Sequence, residues 1–290
     1  MEHELRKAGI GTHTNYLCAM TSTLPLRDWT DIRWPEMAGH DRARWIAVLP
    51  LAATEQHGPH LPIETDVLIA QAYLSRVREL LSSTTPATFL PIEPIGISTE
   101  HTDFPGTLTL SPEAALRNWM AIGESVARAG LRKLVLVTSH GGNSAAMSLV
   151  AQELRARHRM LVVTTSWGRL SAAETLFAAE EIEHGIHGGA VETSIMLARY
   201  AAQVKREAVA DFRPSTVAMK NDFRWLSAQR PAPFAWQTQD LHPSGAVGDA
   251  TQATAEKGHR LIDQGARAFC ELLGDIDRFN LQRLAVRPKR

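Results

Sequence analysis

Apolar and polar positions follow two rhythms along this chain. WIAVLPLA (45–52) is a continuous apolar run of strand length and predicts a buried strand. Residues 66–82 then put Leu68, Ile69, Ala72, Tyr73, Val77, Leu80 and Leu81 on one helical face. TFLPIEPI (88–95) is strand-like, and its prolines predict a sheet edge or an early exit. A helix from Ser111 to Gly130 is fully punctuated: Ser111 is the N-cap, Pro112 the first helical residue, Glu113 sits in the first turn, and Gly130 closes it. KLVLVT (133–138) is the clearest buried strand. A helix from Ser144 to about His158 follows, then a strand at MLVVTTSW (160–167) and an apolar helix at 190–203. The stretch 211–248 is rich in Pro, Trp, Phe and Gln and reads as long loops, after which Asp249 caps a last helix to about Leu273. Strands alternating with helices predict an α/β layered domain with a mostly parallel sheet. In such sheets ligands bind beyond the carboxyl ends of the strands.

The 290 residues suit one large domain or two small ones, and no internal repeat or long linker divides them. The reading is an irregular N-terminal extension (1–22, with Met20 an alternative start), one domain over 23–276, and a solvated basic tail at 277–290. Hydrophobic residues at 44% and charged residues at 21% exclude a disordered or low-complexity chain. Basic and acidic residues both number 31, so the basic excess of a nucleic-acid or anionic-membrane binder is missing. Cys18 and Cys270 form no CxxC, which fits a reducing cytoplasm. No apolar signal-peptide core and no membrane-spanning run is seen. The compositional oddity is 12 histidines, the commonest metal-ligand type.

Their clustering matters more than their number. Glu55, His57, His60 and Asp66 surround Gly58-Pro59 directly after the first strand. Glu55 and His57 are two apart, so an extended backbone points both to one side. His140 follows strand 133–138 at once, and Gly141-Gly142-Asn143 lets backbone amides approach a ligand beside a helix N-terminus. His187 and Glu192 flank a Gly-Gly turn into the next helix, and His101 opens the turn-like HTDFPGT. The plain alternatives are polar turns with helix caps at Asp66 and Ser144, and a structural His101. Neutral imidazoles with carboxylates and no thiolate suit Zn²⁺, Mn²⁺ or Fe²⁺. A carboxylate such as Asp66 can bridge two ions about 3.5–4 Å apart, and zinc can lower the pKa of bound water from about 15.7 to about 7. That chemistry hydrolyses an amide or similar C–N bond. No G-x-S-x-G elbow, Walker A loop, G-x-G-x-x-G or HExxH supports another catalytic design.

At LPLAATEQHGPHLPIETD (49–66), HTDFPGT (101–107), SHGGNS (139–144) and HGGAVETS (187–194) the chain resembles the creatininase (creatinine amidohydrolase) family. SGAVGDATQATAEKG (244–258) fits the family's C-terminal pattern, and the matches span roughly residues 24–275. The resemblance implies a three-layer α/β/α sandwich, a two-metal site, hydrolysis of a C–N bond in a small amide substrate, and a homohexamer. Carried over, Glu55, Asp66 and His140 hold one metal, while His57 and Asp66 hold the other. His187 matches the catalytic histidine that passes a proton to the leaving nitrogen, and Glu192 matches a ligand or base. The implied substrate pocket draws on His60, His101, Phe104, Gly106, Thr107, Gly141, Gly142, Asn143 and Trp167. Creatininases carry Tyr-Glu where this chain has Gly141-Gly142, and many members carry Glu at the position of Ala190. The second metal is therefore one carboxylate short, to be made up by Glu192 or water, or is absent. Glu183 stands where a second pocket tryptophan is expected, which argues against creatinine as substrate. The family also contains formamide deformylases and cofactor-maturing peptidases. A degenerate member that binds metal without turnover is the main alternative. A two-metal phosphoesterase is disfavoured, because no Arg or Lys lies in the three clusters. The aromatic loops at 221–242 read equally as a self-packed loop or as an intersubunit element, either a contact or a lid over a neighbour's pocket.

Overall fold

In a computed structural model, which describes residues 24–38 and 42–284, four strands form one sheet. They are β1 (Ile46–Leu51), β2 (Ala87–Phe89), β3 (Lys133–Thr138) and β4 (Leu161–Ser166), in the order β2-β1-β3-β4. Every pairing is parallel. β1 and β3 are buried end to end, as expected of strands covered on both faces. Alternation assigns their side chains to two cores. Ile46, Val48, Val135 and Val137 face α1 (Thr65–Leu80), α4 (Ala190–Arg199) and α5 (Ala255–Arg278). Ala47, Leu49, Leu134 and Leu136 face α2 (Pro112–Arg128) and α3 (Ser144–His158). The result is the three-layer α/β/α sandwich expected from the sequence.

The long amphipathic α5 is packed hardest. Gly258 lets it approach α4 so closely that an added Cβ would lie 1.9 Å from the Ser194 carbonyl oxygen. Alanine favours a helix over glycine by about 1 kcal/mol. Here overpacking against backbone should prevail, so Gly258→Ala is expected to destabilise the fold by about 1–3 kcal/mol, read as a lower urea midpoint at unchanged m. At the opposite end, the buried Lys133 ammonium donates to the carbonyls of Ile276 (2.7 Å) and Asp277 (2.8 Å), completing the last turn of α5.

The second strand is the sheet edge and exits early, at Leu90-Pro91, as its prolines predict, although it is only three residues long. Several elements differ from the sequence expectation. Asp249 does not cap the last helix. Its carboxylate accepts from the Thr251 amide of a short 3₁₀ turn, and Thr254 caps α5, which runs past Leu273 to Arg278. The 211–248 stretch is not all loop: it holds helices Ser215–Asp222 and Thr238–Leu241. The extension 1–22, Cys18 and the end of the tail lie outside the described residues. Among the described residues no helix is long and apolar enough to cross a membrane.

Register positions the chemistry. Leu51 pairs with Thr138, and Thr138 pairs with Ser166, so β1, β3 and β4 end level. The segments after β1 and β3 therefore emerge side by side at the carboxyl rim.

Candidate metal centre

Beyond β1 the chain stays extended and then folds back. The Glu55 amide donates to Ile63 O (2.9 Å), and His57 bridges Leu61 across the Gly58-Pro59 turn. Gly58 takes a positive φ of 71°, and a Cβ there would meet Ala246 Cβ at 2.6 Å. Asp66 enters from the first turn of α1. Beyond β3, Thr138 Oγ1 accepts from the His140 amide (3.0 Å) and donates to the His140 carbonyl (2.9 Å), fixing the bend that turns this imidazole inward. His187 is held by a pair of backbone hydrogen bonds with Val247.

These side chains converge. His140 Nδ1 lies 3.1 Å from Glu55 Oε1 and 3.5 Å from Asp66 Oδ2. His57 Nε2 lies 3.8 Å from Asp66 Oδ1 and 3.8 Å from Glu192 Oε2. Asp66 thus turns one oxygen to each histidine, the geometry of a bridging carboxylate. His187 Nδ1 stands 3.6 Å from Glu55 Oε1, and its ring lies between those of His57 and His101, centroids 4.1 and 4.2 Å away.

Backbone and amide partners fix which ring nitrogens carry protons. His57 Nδ1 donates to Glu55 O (3.0 Å), His140 Nε2 to Ile97 O (2.7 Å), and His187 Nε2 to Gln56 O (2.6 Å). When these rings are neutral, each opposite nitrogen presents a lone pair to the centre. His101 is the reverse case. Gln56 Oε1 accepts from the Gly58 amide and its Nε2 donates to Gly245 O, so the amide is oriented and its other N–H donates to His101 Nδ1 (2.7 Å). The His101 proton therefore sits on Nε2, 3.3 Å from Glu55 Oε1 but outside hydrogen-bond geometry. Donor atoms of Glu55, His101 and His187 also fall in one set within 4.8 Å, so His101 stands among the candidate ligands.

Both Glu55 oxygens, His57 Nε2 and Asp66 Oδ2 are buried with no hydrogen-bond partner. Such groups are costly unless something satisfies them. Donor atoms of Glu55, His57 and Asp66, and of His57, His187 and Glu192, fall in sets within 4.8 Å. Neighbouring ligands on a tetrahedral ion with bonds of about 2.0 Å lie about 3.3 Å apart, close to the Glu55–His140 spacing. The residues present fit a binuclear divalent-metal site.

Electrostatics within the cluster are strongly perturbed. Burial opposes charge on His57 and His140, but the carboxylates outweigh it, Asp66 leading for His57 and Glu55 for His140. They raise these imidazoles to about 9 and about 10. Burial would raise Glu55, yet His140 beside it holds its carboxyl well below the usual range. Burial raises Asp66, and burial with the Asp66 and Glu55 charges lifts Glu192 to about 7. Burial, with His57 and His101 nearby, keeps His187 well below its ordinary value. A raised histidine stabilises the metal-free protein most below about pH 6.5, and that contribution is lost as pH rises through the folded-state value. A cation needs both imidazoles neutral. Zinc binding near pH 8 is therefore expected to release the His57 and His140 protons, with affinity climbing up to about pH 10. Calorimetry in buffers of different ionisation enthalpy reads this directly, and binding without proton release would contradict it.

Residues 30–273 match the creatininase family, described as creatinine amidohydrolase. The chain belongs to the creatininase family. It is 32% identical over 245 residues to a mycofactocin precursor peptide peptidase of Mycobacterium ulcerans, covering 80% of this chain and 83% of that one. It is 30% identical over 237 residues to a creatinine amidohydrolase of Pseudomonas putida, covering 75% and 84%. A crystal structure of creatininase superposes with a TM-score of 0.69 at 27% identity, over 88% of this chain and 99% of the other. Similar creatininase structures include one described as Mn and one of Zn–Zn type.

Other members of the expected creatininase-like site fall into separate groups. His101, Gly141 and Gly142 line a cavity of about 260 Å³ over the centre, together with His140, His187 and Glu192. Trp167 does not line it. Its ring is 1% exposed in the core, stacked on Tyr73 (4.7 Å) and against Phe269 (4.9 Å), because helix Trp167–Leu170 turns it under the sheet. Asn143 is a buried clamp, accepting from Ile97 N and donating to Ala52 O and Thr138 Oγ1. His60 stacks on Phe212 and pairs with Thr193 Oγ1. Thr107 Oγ1 accepts from the Gln56 amide, and Phe104 and Gly106 share its loop, so this segment braces the Gln56 turn outside the cavity. Glu183 is surface-exposed and paired with Lys220 (2.6 Å).

The sequence reading gives no role to Glu100, Ser139 or Ile186 and places Trp236 only within an aromatic loop; these four complete the cavity lining. Glu100 beside His101 is the signal that was available. Glu181 is also unforeseen. Its buried carboxylate accepts from the Ala190 amide at the start of α4 and from the Asp249 amide, both at 2.7 Å, and so fixes the turn carrying His187.

Proposed function

We propose that this creatininase-family chain is a divalent-metal-dependent hydrolase of a C–N bond in an amide, lactam, formamide or short peptide. The observation that carries the reading is the set of buried, unpartnered donors of Glu55, His57 and Asp66 facing His140 at the strand ends. Glu55, Asp66 and His140 would hold one ion. His57, Asp66 and Glu192 would hold the second, so that Glu192 makes good the carboxylate missing at Gly142. When bound, such ions supply Lewis-acid polarisation of a carbonyl and lower the pKa of a coordinated water. Asp66 fixes the spacing of the two half-sites. The His101 Nε2, 3.3 Å from Glu55 Oε1, would steady that carboxylate once the centre is filled. His187 presents an unprotonated Nδ1 at the centre, while its Nε2–H is engaged by Gln56 O. It can take up a proton at Nδ1 and return it to the leaving nitrogen. The backbone bonds to Val247 keep that ring in place through the transfer.

Exhaustive chelation is expected to abolish turnover, and zinc, manganese or ferrous ion to restore it. The assay is a screen of amides, lactams, formamides and small peptides. Turnover that survives removal of the metal would refute the reading. Stoichiometric metal with no turnover across the screen would favour the non-catalytic member. The homohexamer suggested by the resemblance is checked by sedimentation of the same preparation.

A further inference from the structure

The cavity over the centre has a wall that the proposed hydrolysis does not use. Among the described residues no lysine or arginine lines it, while two carboxylates do, those of Glu192 and Glu100. Glu192 is committed to the centre: its Oε2 accepts from the Gly188 amide (2.7 Å) and faces His57. Glu100 is not committed. Its nearest ionic neighbour is His140 Nε2 at 3.6 Å, and that N–H is already donated to Ile97 O at 2.7 Å.

The carboxylate occupies a prepared place. Gly142 has no side chain, and a Cβ there would lie 2.8 Å from Glu100 Oε1. On the same lining, Ser139 Oγ is buried without a hydrogen-bond partner, and the half-buried Trp236 indole is pinned at its edge by Nε1–H donation to Ala228 O. An acceptor with spare capacity, an unpaired hydroxyl and an aromatic ring are the groups that hold a cationic nitrogen.

We infer that this wall is a specificity subsite for a substrate bearing an ammonium, amidinium or guanidinium group, with Glu100 as the residue that selects it. The inference rests on the hydrolase reading for the bond cleaved, but the recognition itself needs no turnover. A neutral substrate of the same shape leaves the Glu100 carboxylate and Ser139 hydroxyl without donors.

The test is calorimetric binding of benzamidinium and benzamide, matched in shape, to the zinc-loaded protein. Benzamidinium is expected to bind at least about tenfold more tightly, the worth of one charge-assisted hydrogen bond. In Glu100→Gln that preference should fall to about one while zinc content is unchanged, and Glu100→Ala, as a second variant, should lose it equally. Equal binding by the wild type, or a preference that persists in both variants, would overturn the inference. Loss of zinc from both variants would also overturn it, since Glu100 would then be bracing His140. Absence of turnover in the substrate screen refutes the hydrolase reading and leaves this binding ratio standing, so the two failures are distinguishable.

Discussion

Replacing His57 by alanine is expected to lower turnover at least 100-fold and to remove about one metal ion per chain, with helical content unchanged. The magnitude follows from position. Loss of a group that merely orients a ligand typically costs 10–100-fold. His57 presents its own lone pair to the centre, fixed by donation from Nδ1 to Glu55 O. Its removal would also leave the Asp66 and Glu192 carboxylates facing each other across a buried gap, with no imidazole between them. Metal analysis by mass spectrometry and circular dichroism on the same sample separate ligand loss from unfolding. Unchanged turnover in this variant would sink the metal-centred reading.

Restoring the carboxylate that creatininases carry at position 142 is expected to harm the site rather than improve it. In Gly142→Glu the first added atom would lie 2.3 Å from the Ile97 carbonyl and 2.5 Å from His140 Nε2. The carbonyl is backbone and cannot yield cheaply. His140 would lose the hydrogen bond that places its proton on Nε2, and with it the aimed lone pair at Nδ1. Glu100 Oε1, 2.8 Å from the same atom, would be displaced as well. Overpacking of this kind costs about 1–3 kcal/mol. We expect a lowered thermal midpoint together with weaker zinc binding. A variant that folds normally and binds a second ion more tightly would show that the loop at Ile97 can retreat.

Much of this was legible in the chain itself. Strand runs at 45–52 and 133–138 and the punctuation at Ser111 and Pro112 specify the layered fold, because buried parallel strands and capped helices leave local signals. The convergence of Glu55, His57, Asp66 and His140 was legible because each lies just past a strand end and register brings those ends level. The misplaced elements have local and distant causes. Trp167 follows a strand as a pocket residue would, yet its place is set by Tyr73 and Phe269. Asp249 looks like a helix cap, but Thr254 lies nearer the true start. Glu100 had only its place beside His101 to mark it, because the space it occupies is left by Gly142, forty-two positions on.

The Glu181 carboxylate has one more consequence. By joining the amides of Ala190 and Asp249 through a single side chain, it makes the His187 turn and the 248–249 segment mechanically one piece. Loss of that one side chain would therefore unfasten both segments at once, baring the Ala190 and Asp249 amides to solvent together.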